Sequence, residues 1–124
     1  MIFLDTHIVC WLYAGKTELI SPTAIQAIET NQLFVSPIVE LELQYLFEIK
    51  RISQQASEIL NALRSDIGLQ IADENFQQVT NASKMLSWTR DPFDRVIVGH
   101  ALYKKIPLIT CDKTIQQNFE QAIW

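Results

Sequence analysis

Three of the four prolines in this chain directly follow a residue that caps helices well: Ser21-Pro22, Ser36-Pro37 and Asp91-Pro92. Proline lacks an N–H and has φ fixed near the helical value, so it fits the first turn of a helix and is disruptive deeper inside one. A preceding Ser or Asp side chain can accept from an amide that the helix leaves unpaired. The three pairs therefore predict helix starts at 22, 37 and 92. Short apolar runs fall between such segments. "IFL" at 2–4 ends at Asp5, and "THIVCWLYA" then carries apolar residues at helical spacing up to Gly15, a stop signal. "LFV" at 33–35 precedes Ser36, and Pro107 opens the strand "PLIT" after a helix ending near Lys104-Lys105. Further helices are expected over 53–65, started by Ser53, and around 74–87. Weaker strand patterns are "GLQI" at 68–71 and "QAIW" at 121–124.

Strands alternating with helices imply right-handed crossovers and a mostly parallel sheet covered on both faces, an α/β fold. The 124 residues suit one domain, and no linker, repeat or low-complexity tract divides residues 1–124. In sheets of this kind ligands sit beyond the carboxyl ends of the strands, where strand order reverses. The residues that follow strands are thus the ones to inspect.

Net charge sharpens the search. At −4, with a pI near 5.0, the chain has no broad basic face with which to grip nucleic acid. Phosphodiester chemistry on such a chain would need a divalent cation, and the cation would need clustered carboxylates. The apolar start "MIFLDTHIVCWLYAG" lacks a basic leader, contains Asp5 and His7, and is too short to span a bilayer. No membrane role is expected. Cys10 and Cys111 read as reduced, structural thiols of a cytoplasmic protein.

Two of the expected strands run into an aspartate: "IFL" into Asp5, and "LIT" through Cys111 into Asp112. Each could simply cap the next helix. Asp94 sits at the third position of the helix begun by Asp91 and Pro92, where a capping-box acid would also stand. The helix from Pro37, "PIVELELQYLFEIK", discriminates better. At about 100° per residue, Ile38, Tyr45, Leu46 and Ile49 form an arc that includes Glu42, with Glu40, Gln44 and Glu48 opposite. Glu42 is carried toward the interior, where an unpaired carboxylate is costly. A cation, a raised pKa or an arginine from elsewhere in the fold would compensate it. Asp5, Glu42, Asp94 and Asp112 together describe a pocket for Mg²⁺ or Mn²⁺, which prefer oxygen ligands.

The ordered set "MIFLDTHIVCWLYAG", "VSPIVELELQYL", "RDPFDRVIVGHAL" and "IPLITCDKTI" resembles the PIN-domain nucleases, most of all the VapC-type toxins of bacterial toxin–antitoxin pairs. The resemblance spans essentially the whole chain. It implies a PIN-like three-layer sandwich with a five-stranded sheet, Mg²⁺- or Mn²⁺-dependent cleavage of RNA, a cognate antitoxin protein and a homodimer. It also implies that Asp5, Glu42, Asp94 and Asp112 are the catalytic metal ligands, with Asp91 left as a cap. His100, in "GHA", departs from relatives that often carry a small or amide residue there.

The other polar residues have weaker claims. Thr6 and Thr110 either orient an acid or its water, or merely belong to local structure. Arg95 reads as the partner of a carboxylate in preference to a phosphate contact. His7 and His100 read as surface or packing groups; Phe3, Trp11 and Phe93 as core aromatics. Lys50-Arg51 and Lys104-Lys105 suit helix C-termini, with RNA contact secondary. Two other functions fit the length and class. A phosphoacceptor signalling domain would want adjacent acids after the first strand, and here Asp5 is followed by Thr6. A non-catalytic interaction module would use the acids as caps and take up no Mn²⁺. The two acids of "RDPFDR" provide a direct check: Asp91→Asn, still a good cap, should leave RNA cleavage nearly intact, whereas Asp94→Asn should abolish it with an unchanged circular dichroism spectrum.

Overall fold

Strand β1 (Ile2–Leu4) has three consecutive buried side chains, so both of its faces are covered. In the computed structural model, which describes residues Met1 to Trp124, it is the middle strand of five. The others are β2 (Leu33–Val35), β3 (Gln70–Ile71), β4 (Leu108–Ile109) and β5 (Ala122–Ile123), in the order β3-β2-β1-β4-β5. Every pairing is parallel, so the sheet is wholly and not just mostly parallel. Parallel neighbours need crossovers, and helices supply them. These are α1 (Thr6–Ala14) and α2 (Pro22–Thr30) before β2, then α3 (Pro37–Glu48) and α4 (Ala56–Ile67) before β3. After β3 come α5 (Phe76–Ser83) and α6 (Pro92–Lys104), and α7 (Lys113–Asn118) joins β4 to β5. A core of 25 buried residues joins the sheet to the helices.

The chain moves outward from β1 to β2 and β3, then returns to β4 on the other side of β1. The strand order therefore reverses at β1, and the crevice this creates lies beyond the carboxyl ends of β1 and β4. Asp5 is at that edge, its N–H donating to Ile109 O at 3.0 Å.

All three proline pairs begin helices, with Ser21, Ser36 and Asp91 at the cap positions. Ser21 and Asp91 accept from helix amides, but Ser36 does not: its hydroxyl is bonded to His100 Nδ1. Other boundaries differ from expectation. The helix expected from Ser53 begins at Ala56, because Gln44 Oε1 of α3 accepts the Ala56 N–H at 3.3 Å and does the capping from outside. The one expected over 74–87 is shorter, started by Asn75, whose side chain accepts the Gln78 N–H. Gly68 belongs to the end of α4, with φ of 71°, so only Gln70–Ile71 of "GLQI" are extended. Asp112 does cap a helix, the short α7, whereas the 3₁₀ turn at Thr17–Leu19 was not anticipated. On α3 the buried side is led by Val39 and Leu43, while Tyr45 and Ile49 are 46% and 44% exposed. The expected arc was thus rotated: Glu42 lies at the edge of the buried face, about 60° from Val39.

Helices α5 and α6 cross at Gly99, where an added Cβ would lie 2.1 Å from Ser83 Oγ and 2.8 Å from Ser83 Cα. No rotamer change of Ser83 relieves a backbone contact. Gly99→Ala should therefore cost about 1–3 kcal/mol, as overpacking does, measured by chemical denaturation.

Candidate active site

All four acids picked out by the sequence lie around the carboxyl edge of β1 and β4, each on a different local support. Asp5 is the most buried, 3% exposed. Its Oδ1 accepts the Thr6 N–H at 2.7 Å and its Oδ2 accepts the Thr110 hydroxyl at 2.6 Å. Burial raises its pKa, the negative charge of Asp112 adds to that, and the Thr110 and Thr6 bonds oppose it. Asp112 follows β4; its Oδ1 accepts the Ile115 N–H at 3.0 Å and caps α7, while its own N–H donates to Thr110 Oγ1 at 3.1 Å. Thr110 thus ties the ends of the two strands together.

Glu42 is half-buried and its Oε1 accepts the Thr6 hydroxyl. Burial raises its pKa, as do the charges of Asp5 and Asp91, against the Thr6 bond. Asp94 is also half-buried, and only its backbone N–H is engaged, by the Asp91 cap. Burial, then the charges of Asp91, Asp5, Asp112 and Glu42, push its pKa up to about 7. Asp94 therefore responds to all three other acids.

No lysine or arginine offsets this charge. The ion pairs of the structure are His100–Glu74 and Lys104–Glu74, away from the four acids. Arg95, expected to pair with a carboxylate, turns away instead: its Nε and Nη2 donate to the Ser83 and Lys84 carbonyls at 3.3 and 3.0 Å, capping α5. Carbonyls left unpaired at a helix end are a good sink for a guanidinium. His7 is exposed, yet near enough for its charge to act against the raised pKa of Asp5 and Glu42, whereas His100 is buried and paired with Glu74, away from the acids. Thr6 begins α1 and serves two acids: its hydroxyl, expected to act on Asp5 or its water, goes to Glu42, and its amide goes to Asp5. Both cysteines flank the site: Cys111 directly precedes Asp112, and Cys10 lies on α1, which follows Asp5. Cys10 is pushed up to about 11 by burial, Glu42 and Asp5, and Cys111 is raised by burial and Asp5.

The donor set is that of a hard divalent cation: oxygen ligands, excess negative charge and no competing ammonium or guanidinium. The side chains are near enough to raise one another's pKa, yet no three His, Cys, Asp or Glu are drawn together as a closed metal cage. The residues fit such an ion in chemistry and in neighbourhood; ligation would require the carboxylates to move inward.

An acidic crevice at the reversal point of a five-stranded parallel sheet defines a class of α/β proteins built for charge compensation by a cation. The model of the family described as "PIN domain" matches residues 2–119, and the chain belongs to the PIN-domain family. Similar solved structures include a toxin–antitoxin complex from Klebsiella pneumoniae, with a TM-score of 0.72 and 22% identity over 100% of this chain and 97% of that one. VapBC2 from Rickettsia felis, bound to a DNA fragment from its promoter, gives 0.66 and 20% over 100% and 98%. VapBC-1 from nontypeable Haemophilus influenzae gives 0.62 and 22% over 99% and 97%. At these identities the likeness is one of fold. No curated protein matches the sequence.

Because the folded pKa of Asp94 lies above its unfolded value, the native state holds a proton that the unfolded chain has released. Its contribution is complete below about pH 4 and is lost as the pH rises to about 7. Asp5 and Glu42 are raised too and act in the same sense. In EDTA, the melting temperature should fall over this window, and Asp94→Asn should lessen the fall and melt higher than wild type at pH 8.

Proposed function

We infer that the chain, read as one PIN-like domain over residues 1–124, is a metal-dependent endoribonuclease and the toxin of a toxin–antitoxin pair. The observation that carries this reading is the set of four mutually repelling carboxylates, with no lysine or arginine paired to them, at the reversal point of the sheet. Asp5, Glu42, Asp94 and Asp112 would hold Mg²⁺ or Mn²⁺. When bound, the ion supplies an activated water and offsets negative charge on the phosphate in flight. The chain's own residues prepare the ligands. Thr110 fixes Asp5 and receives the Asp112 amide, and Thr6 occupies one oxygen of Glu42, leaving Oε2 free. Asp112 likewise caps α7 with Oδ1 alone. With a net charge of −4, the protein relies on the cation for most of its attraction to a polyanion. RNA as the substrate follows from the resemblance to the family.

The partners follow from two surfaces. A cavity of about 1010 Å³ is lined by Trp11, Tyr13, Phe47, Ile52 and Ile59 and edged by Lys16, Lys50 and Arg51. An antitoxin segment with apolar side chains would fill it, in keeping with the toxin–antitoxin complexes of similar fold. Leu41, Tyr45 and Ile49 lie one turn apart and exposed on α3, the kind of stripe a homodimer covers. No helix is long and apolar enough to cross a membrane, and both cysteines are free, which supports a reducing cytoplasm as its place.

The reading is tested by incubating purified protein with RNA after chelation and after adding back Mg²⁺ or Mn²⁺. Cleavage should require the ion and fall by a hundredfold or more, about the scale of losing a metal ligand or charge-stabilising group, in Asp5→Asn and Glu42→Gln. Metal-independent cleavage, or full activity in Asp5→Asn, overturns it.

A further inference from the structure

The contact between α3 and α6 is bracketed by two side-chain pairs. Near the start of α3, Ser36 Oγ lies 2.8 Å from His100 Nδ1. Toward the other end, the ring of Tyr45 packs on Phe93, centroids 5.7 Å apart. Numbers rise from 36 to 45 along α3 as they fall from 100 to 93 along α6, so the helices run antiparallel. Glu42 comes six residues after Ser36, and Asp94 six residues before His100. At 1.5 Å of rise per residue, both carboxylates lie about 9 Å from the Ser36–His100 contact, at the same level across the interface. The charge of Glu42 is indeed among those acting on Asp94.

His100 is itself firmly held. It is 1% exposed, its ring stands edge-on to Phe3 at 4.9 Å, and its Nε2 lies 3.2 Å from Glu74 Oε1. Glu74 in turn pairs with Lys104 at 3.3 Å. With the proton on Nε2, the ring donates to Glu74 and accepts from Ser36, so both nitrogens are used. Ser36 makes no side-chain cap bond to α3, and its hydroxyl is directed to His100. The other side-chain hydrogen bonds of α3 go to Thr6 and to the Ala56 amide, and neither reaches α6. The Tyr45–Phe93 contact is dispersive and partly exposed, and would tolerate sliding.

We propose that His100 is a positioning residue: by pinning the start of α3 to α6 through Ser36, it sets the helix register that holds Glu42 opposite Asp94. The inference rests on the reading of these two acids as metal ligands. Ligand distances at a metal site are narrowly set, so the level at which α3 faces α6 bears on whether Glu42 and Asp94 can close on one ion. A glutamine at this position keeps one donor and one acceptor.

The test is calorimetric titration of the metal-free full chain with Mn²⁺, well below the melting temperature. His100→Ala and Ser36→Ala should weaken binding roughly tenfold or more, and His100→Gln should stay within about threefold of wild type, on the scale of supporting-residue effects at metal sites. Leu69→Ala, a buried site at the start of the β3 segment, should lower the melting temperature yet leave Mn²⁺ affinity unchanged. If His100→Ala misfolds, Ser36→Ala carries the comparison. Wild-type affinity in Ser36→Ala and His100→Ala, with loss in Glu42→Gln and Asp94→Asn, overturns the positioning role and leaves the metal reading standing. Equal weakening by Leu69→Ala, or failure of His100→Gln to recover binding, also overturns it. If wild type, Glu42→Gln and Asp94→Asn all titrate alike, the metal reading fails and this inference falls with it.

Discussion

The carboxyl edge of the sheet is organised around one costly placement, the burial of Asp5 with no lysine or arginine paired to it. A carboxylate at the end of a central strand loses most of its water, and only part of that loss is returned by the Thr6 amide and the Thr110 hydroxyl. The remainder shows as a raised pKa. Hydrogen bonds spread outward from this point. Thr110, which donates to Asp5, accepts from the Asp112 amide; Thr6, whose amide serves Asp5, gives its hydroxyl to Glu42. Three acids are therefore oriented by two threonines, and those threonines are fixed by β4 and α1. Asp94 stands outside this chain. It is oriented only by its helix, and its carboxylate takes the repulsion of all the others.

Capping and ligation are compatible roles for these residues. A capping aspartate commits one oxygen to a helix amide, and each carboxylate oxygen has further acceptor capacity. Asp112 caps α7 through Oδ1 and retains Oδ2. Asp91 serves two amides, Phe93 and Asp94, both through Oδ1, at the exposed start of α6. Its charge reaches Asp94 and Glu42, so it adds to the negative potential of the crevice.

What could be read from the sequence was local, and what could not depended on partners far along the chain. Proline after Ser or Asp marks three helix starts because both signals act within one turn. The strands "IFL" and "LFV" are legible because burial on both faces demands an unbroken apolar run. Ser53 misled because the cap of α4 comes from Gln44, on another helix. The helical wheel identified Glu42 correctly as inward but misjudged Tyr45 and Ile49, since apolar character alone does not say which side of a helix meets the sheet. The four acids were placed by their strands and helices, whereas the Thr6–Glu42 bond and the turning away of Arg95 require knowing which elements pack together. His100 stood out in the sequence only as an oddity; its contacts with Ser36 and Glu74 give it a reason.

The acids also shape the chemistry of their neighbours. Cys10 and Cys111 stand close enough to feel Asp5, and a soft thiolate there would compete for a cation and favour zinc or copper over magnesium. Only the thiolate ligates. Burial and the charges of Glu42 and Asp5 hold Cys10 up to about 11, so at neutral pH it remains a thiol. Burial first, and the negative potential of the acids second, thus act on both thiols in the same direction, toward the protonated form.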